Sequence, residues 1–223
     1  MRNVYVVCEG QTEANFVNRA LIPVFYDRMN LIPRTVVTSR DARKGSVHKG
    51  GMSSYAKAYN TIEVSLKDAL RHGGFVTTMF DFYALPKDTP GIDAVPCIAD
   101  AYQKAAGIES SMLQAVSAEY RGIYHPYIQL HEFEALVFCN LGGLEEEYFE
   151  ADIDKLHDCL DKQPNPELIN GGEATAPSKR ILSCIPSYDK VETGVKIAAD
   201  AGLGALCRKC RHFGEWIDFL RNV

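Results

Sequence analysis

Four short runs constrain the fold of this chain more than anything else: 3–8 (NVYVVC), 34–39 (RTVVTS), 75–80 (FVTTMF) and 124–130 (YHPYIQL). Each is short for a globular helix and rich in apolar or β-branched residues, so each reads as a strand. Between them lie stretches of helical period. After Thr12, read as an N-cap, Phe16, Val17, Ala20, Leu21 and Val24 recur at three- and four-residue spacing, and Pro23 is expected to kink or end that helix. A second helix is expected from Ser53 or Ser54, with Tyr55, Tyr59, Ile62, Leu66 and Leu70 on one stripe and a stop at His72-Gly73-Gly74. Helical stretches are expected over roughly 92–120, in two pieces around Gly107. Pro126 weakens the start of the fourth strand or places it on an edge. Strand alternating with helix requires a parallel sheet covered by helices. The expected class is therefore α/β, a Rossmann-like four-stranded parallel sheet over 1–140. The helical, strand-poor remainder, 141–223, reads as a C-terminal lobe, with a polar linker from Lys162 to Arg180.

An open parallel sheet binds ligands beyond the carboxyl ends of its strands, which sorts the polar residues. Glu9 ends the first strand, Asp81 the third, and His131-Glu132 the fourth. Carboxylates brought to one edge repel, so a cation is their natural partner. Oxygen donors suit Mg²⁺ or Mn²⁺, with water and a substrate phosphate completing the shell. The candidate metal ligands are Glu9, Asp81, Glu13 and Glu134. Glu13 keeps two readings: a ligand, or an acid favoured by the first turn of a helix. The candidate catalytic residues are Glu9, Asp81, His131 and Lys179.

Arg40 and Lys44, in a basic loop over 40–51, and Lys179 and Arg180, in APSKR, are the candidate phosphate contacts. A solvated loop and an exposed basic pair are the alternative readings. The string at His131 is not H-E-x-x-H, and G-x-x-x-x-G-K-[ST] and G-x-S-x-G are both absent. Cys207 and Cys210 form a lone C-x-x-C in a helical context and read as free thiols. The final stretch carries Phe213, Trp216, Ile217 and Leu220 as a core stripe.

The totals narrow the class of function. There are 24 Lys+Arg against 29 Asp+Glu, a net charge of −5. That argues against coating nucleic acid through the bulk field, yet is compatible with a metal-dependent phosphate enzyme. No apolar stretch approaches the ~20 residues of a membrane helix. The N-terminus lacks the pattern of a signal peptide. Seven scattered cysteines read as reduced thiols, so a cytoplasmic location is expected.

A strand ending in Glu-Gly and a third strand ending at an acid resemble the Toprim domain of topoisomerases, primases and OLD-family nucleases. The resemblance implies a general acid or base at Glu9 and Mg²⁺ binding at Asp81. Tyr83 stands where the Toprim pattern has a second Asp, with Asp88, Glu132 and Glu134 as candidate replacements. VCEGQTEANFV, TTMFDFYALPKDTPG, IQLHEFEALVF, APSKRI and CRHFGEWIDFL together resemble a bacterial family, domain of unknown function four-two-seven-six, regarded as Toprim-like. That resemblance implies a part in phage defence or DNA metabolism, often beside an AAA- or ABC-type ATPase. The expected activity is a metal-dependent nuclease or related phosphoryl-transfer enzyme on nucleic acid, DNA before RNA. The alternative is a catalytically silent adaptor that partners such an ATPase.

Overall fold

Val4 to Cys8 are all buried, and the strand they form, β1 (Arg2–Cys8), is central to its sheet. A strand covered on both faces needs apolar side chains in both orientations, which explains the unbroken run. The computed structural model describes residues 1–41, 46–49, 52–169, 172 and 175–223. It divides into two compact units, Met1–Ile128 and Gln129–Val223. The division precedes the 140/141 boundary expected from composition. The HEFEALVF segment forms α5 (Glu134–Val137), which packs within the second unit.

In the first unit, β1 pairs in parallel with β2 (Met29–Thr35) on one side and β5 (Phe75–Asp81) on the other. β6 (Tyr124–His125) adds in parallel to β5, giving the order β2-β1-β5-β6. The chain thus leaves β1 for one neighbour and returns, through α3 (Tyr55–His72), to the other. The gap between β1 and β5 is the topological switch point, where α/β sheets of this kind bind ligands.

α3 ends as its glycines require: Gly73 lies in the left-handed region at φ 64°, and Gly74 N–H returns to Ala69 O at 2.8 Å. Its buried face is Tyr55, Ala58, Ile62, Ser65, Leu66 and Ala69. Leu70, expected on that stripe, is 48% exposed because the face is completed by Ala69.

Several boundaries differ from expectation. The second strand starts at Met29, not Arg34, because Pro33 is tolerated on a strand at the end of the sheet. The stretch read as a basic loop is partly strand: β3 (Val37–Asp41) ends in it and β4 (Ser46–Lys49) lies in it, the two paired antiparallel as a separate sheet. The helix after Glu9 begins after Gly10, not Thr12, as α1 (Gln11–Phe16). Pro23 does not end it: the helix widens into a π-turn over Val17–Leu21 and resumes as α2 (Ile22–Phe25). A wider turn removes the clash between a proline ring and the carbonyl four residues back.

α4 (Ala101–Ala115) runs unbroken through Gly107, and its start is set by Asp100, whose carboxylate accepts from Gln103 N–H at 2.8 Å. Pro126 splits the fourth strand into β6 and β7 (Ile128–Gln129). There Thr78 Oγ1 replaces the missing ladder, accepting from Tyr127 N–H and donating to Tyr127 O, both at 2.8 Å.

From residue 141 onward the described residues form helices and turns: α6 (Leu141–Glu147), α7 (Asp154–Lys162), α8 (Pro177–Cys184), α9 (Val195–Asp200), α10 (Leu203–Lys209) and α11 (Arg211–Arg221). The polar linker is shorter than expected, since APSKR opens α8 with Pro177 in the first turn, where a missing N–H costs nothing. α11 buries Phe213, Trp216, Ile217 and Leu220 as its spacing requires. All seven cysteines are free thiols, with Cys139 and Cys210 buried 3.4 Å apart. Among the described residues, no helix is long and apolar enough to cross a membrane.

Candidate functional site

Glu9 extends the β1–β5 ladder one residue past β1, its N–H donating to Met79 O at 3.2 Å. Asp81 is the last residue of β5 and is 4% exposed. Its backbone N–H makes a long contact, 3.4 Å, to Glu9 Oε2. Two acids from adjacent central strands therefore lie together at the switch point, as the strand ends predict.

Gly10 follows as the N-cap of α1, and its N–H donates to Glu13 Oε2 at 2.8 Å. This is the reach-back half of a capping box. Glu13 is only 3% exposed, and its charge is felt by Cys8. Burial first, then Glu13, pushes the Cys8 thiol well up, against a weaker opposing hydrogen bond with the Arg34 backbone. Cys8 is thus a protonated core thiol rather than a nucleophile.

Tyr83 sits in a 3₁₀ turn, Phe82–Ala84, directly after Asp81, its ring edge-on to Phe82 with centroids 6.0 Å apart. Asp88, a candidate replacement for the second Asp, is engaged elsewhere. Its oxygens accept from Tyr55 N–H at 2.9 Å and Ala56 N–H at 3.3 Å, capping α3 from 33 residues away. The bond from Tyr55 N–H holds its carboxyl below the usual value.

The remaining candidates belong to the second unit. His131 is buried and takes the left-handed conformation, φ 60°, uncommon for a residue with a Cβ. Glu132 Oε2 accepts from Ser178 N–H at 2.9 Å, capping the start of α8. Two of the sequence motifs, IQLHEFEALVF and APSKRI, thus meet through a helix cap. Glu134 is 1% exposed and pairs with Lys190 at 3.2 Å. Burial, and then the Glu134 charge, raises the Tyr188 hydroxyl far above its ordinary value, partly offset by Lys190. Lys190 and Tyr188 carried no sequence signal; Lys190 opens a π-turn over Lys190–Gly194, Tyr188 lies just before it, and both come near Glu134 only through the fold.

Lys179 is exposed on α8. Arg180 is partly used internally, donating to Thr175 O at 2.7 Å and Cys159 Sγ at 3.2 Å. Of the other phosphate candidates, Lys44 and the Arg40 side chain lie outside the described part of the structure.

Sequence reasoning missed Glu167. It is 0% exposed, and its two oxygens accept from His212 N–H and Phe213 N–H, both at 2.9 Å, capping α11. Its signal was the phrase N-P-E before an apolar pair, too common to single out.

Among the described residues, no three His, Cys, Asp or Glu side chains group closely enough to hold a metal ion. Glu9 and Asp81 offer a hard cation two carboxylate residues, a donor set that suits Mg²⁺ or Mn²⁺ when water and a substrate phosphate fill the remaining positions. Neither a curated protein nor a solved structure matches the chain. Residues 8–221 match the family described as domain of unknown function, DUF4276, and the chain belongs to that family.

Proposed function

We propose that this protein is a metal-dependent nuclease, or a related phosphoryl-transfer enzyme acting on nucleic acid. The observation that supports this reading is the pairing of Glu9 with Asp81 across the switch point of a parallel sheet. Adjacent paired strands fix both backbones, so the two acids are brought side by side by the fold itself. In the proposal Glu9 and Asp81 hold Mg²⁺ or Mn²⁺. When bound, the ion supplies Lewis-acid polarisation of a phosphate oxygen. In the proposal Glu9 also takes or gives a proton through its carboxylate. His131 and Lys179 are proposed for proton transfer and for neutralising phosphate charge, with Arg180, Arg40 and Lys44 as further phosphate contacts. DNA is the favoured substrate, and activity would fall with rising salt as phosphate contacts are lost.

The test is cleavage of single- and double-stranded DNA and RNA by purified protein with Mg²⁺ or Mn²⁺. The proposal requires a product that both Glu9→Gln and Asp81→Asn abolish. Cleavage indifferent to both variants, or no cleavage of any substrate, would sink it.

A second reading is favoured by a specific observation: Tyr83 follows Asp81 where the Toprim pattern has its second acid, and Asp88 is committed to capping α3. In this reading the scaffold is kept for binding, as an adaptor for an AAA- or ABC-type ATPase. Titration calorimetry with Mn²⁺ separates the two. A binding isotherm that disappears in Asp81→Asn supports the enzyme; a flat isotherm supports the adaptor.

A further inference from the structure

Phe149 is 81% exposed, unusual for a large aromatic side chain, and it stands on the wall of a cavity of about 430 Å³ within the second unit. One wall is the turn after α6, with Tyr148, Phe149 and Ala151. The other is the turn after α8, with Ile185 and Pro186. The two walls are tied together, since Tyr148 Oη accepts from Asp189 N–H at 3.2 Å. Each wall also ends a helix: α6 closes at Tyr148 and α8 at Ile185. Both walls therefore sit at the negative end of a short helix.

The chain segment that forms the first wall is acidic. Residues 145–161 carry eight Asp and Glu against one Lys. The rest of the chain has 21 acidic against 23 basic residues, so the net negative charge of the protein comes from this stretch. Glu147 and Glu150 line the cavity itself; Glu147 is partly neutralised by Lys196, and Glu150 is exposed on the rim. Ile185 and Pro186 on one wall, and the exposed Phe149 ring beside the Glu150 carboxylate on the other, together fit one kind of side chain: a long apolar stem ending in a cation.

We infer that this cavity is a docking site for an arginine- or lysine-bearing segment of a partner protein. The stem of the inserted residue lies along Ile185 and Pro186. Its cation stacks on Phe149 and faces Glu150 and the helix carboxyl ends. A guanidinium suits this arrangement better than an ammonium, because it is planar and weakly hydrated. The site is independent of the Glu9–Asp81 pair and serves an enzyme or an adaptor equally.

The experiment is fluorescence anisotropy with the full chain and labelled eight-residue peptides, one carrying two arginines among neutral residues and one with citrulline in their place. The arginine peptide is expected to bind, more weakly as salt rises, and the citrulline peptide at least about ten-fold less tightly. Phe149→Ser should weaken the arginine peptide about ten-fold. Glu150→Lys should weaken it further, and a lysine-for-arginine peptide should bind less tightly than its parent. Phe149 is exposed and Glu150 lies on the rim, so both variants should melt with the parent protein. Equal binding of the citrulline peptide, or affinity unchanged in both variants, would overturn the inference. So would a concentration-dependent dimer that Phe149→Ser dissolves while the arginine peptide fails to bind, because a second copy would then cover the site.

Discussion

Glu9 and Asp81 in the first unit end strands, whereas Glu132 and Glu167 in the second lie in connecting turns, and the two sets of acids have different partners. Glu9 and Asp81 terminate neighbouring parallel strands at the switch point, where sheets of this kind bind ligands. Glu132 and Glu167 each close the N-terminus of a helix that starts more than 40 residues away, α8 and α11. A carboxylate on the first N–H groups of a helix is consumed by the fold. The proposed ligand role and the capping role can be pulled apart by substitution, because one would be read in metal-dependent chemistry and the other in stability.

The largest effect is expected at the strand ends. Asp81→Asn and Glu9→Gln keep side-chain size and remove charge. Under the nuclease reading each should lower metal-dependent cleavage by on the order of 100-fold or more. Glu132→Ala should leave the Mn²⁺ isotherm as it was and lower only the melting temperature. An isotherm lost in Glu132→Ala would make Glu132 a ligand and erase the contrast.

Next is Glu167→Ala. Two buried N–H groups lose their acceptor, a cost of about 3 kcal/mol, or roughly 6–12 °C in melting temperature for a chain of this size. Glu167→Gln should recover only part of the loss, because its amide turns a donor toward a donor. Thermal melts check both. A loss below about 1 kcal/mol would mean that water replaces the carboxylate.

Lys190→Met comes third. It leaves Glu134, 1% exposed, without its 3.2 Å cation. Lys190 itself is about a third exposed, so solvent already screens the pair and the expected loss is about 2 kcal/mol. The double variant Lys190→Met, Glu134→Gln should regain part of it, and a melt of all three variants gives the coupling. Additive losses would show that the pair contributes nothing.

This contrast also explains what could be read from the residues alone. The parallel sheet was legible because buried strands must be apolar on both faces, and β1 announces that in five consecutive residues. Glu9 and Asp81 were legible because they directly follow such runs. The helix at Tyr55 and its glycine stop were legible for the same local reason. Remote capping was not legible. Asp88, Glu132 and Glu167 stand 33, 46 and 45 residues from N–H groups they bind. No local pattern encodes a contact at that range, so acids that close helices resemble acids that bind metals. The π-turn before Pro23 was hidden for a different reason: proline forbids one backbone geometry and does not say which other replaces it.

The smallest expected effect separates exposed capping from buried capping within this same group of acids. Asp88 and Glu167 both accept two backbone N–H groups, but Asp88 lies in solvent, where water stands ready to take its place. Asp88→Ala should therefore cost on the order of 1 kcal/mol, less than Glu167→Ala. Its pH signature has a definite sign. The folded chain holds the Asp88 carboxyl below its ordinary value of 3.8, chiefly through the Tyr55 N–H bond. The folded state thus binds this proton less tightly than the unfolded state, and the stabilisation is complete above 3.8. It is lost as the pH falls through the lowered folded value. Melts from pH 7 down to pH 3 should show the parent and Asp88→Ala curves separated at neutral pH and converging at the acidic end. A separation that stays constant with pH would mean that Asp88 caps α3 by shape and not by charge.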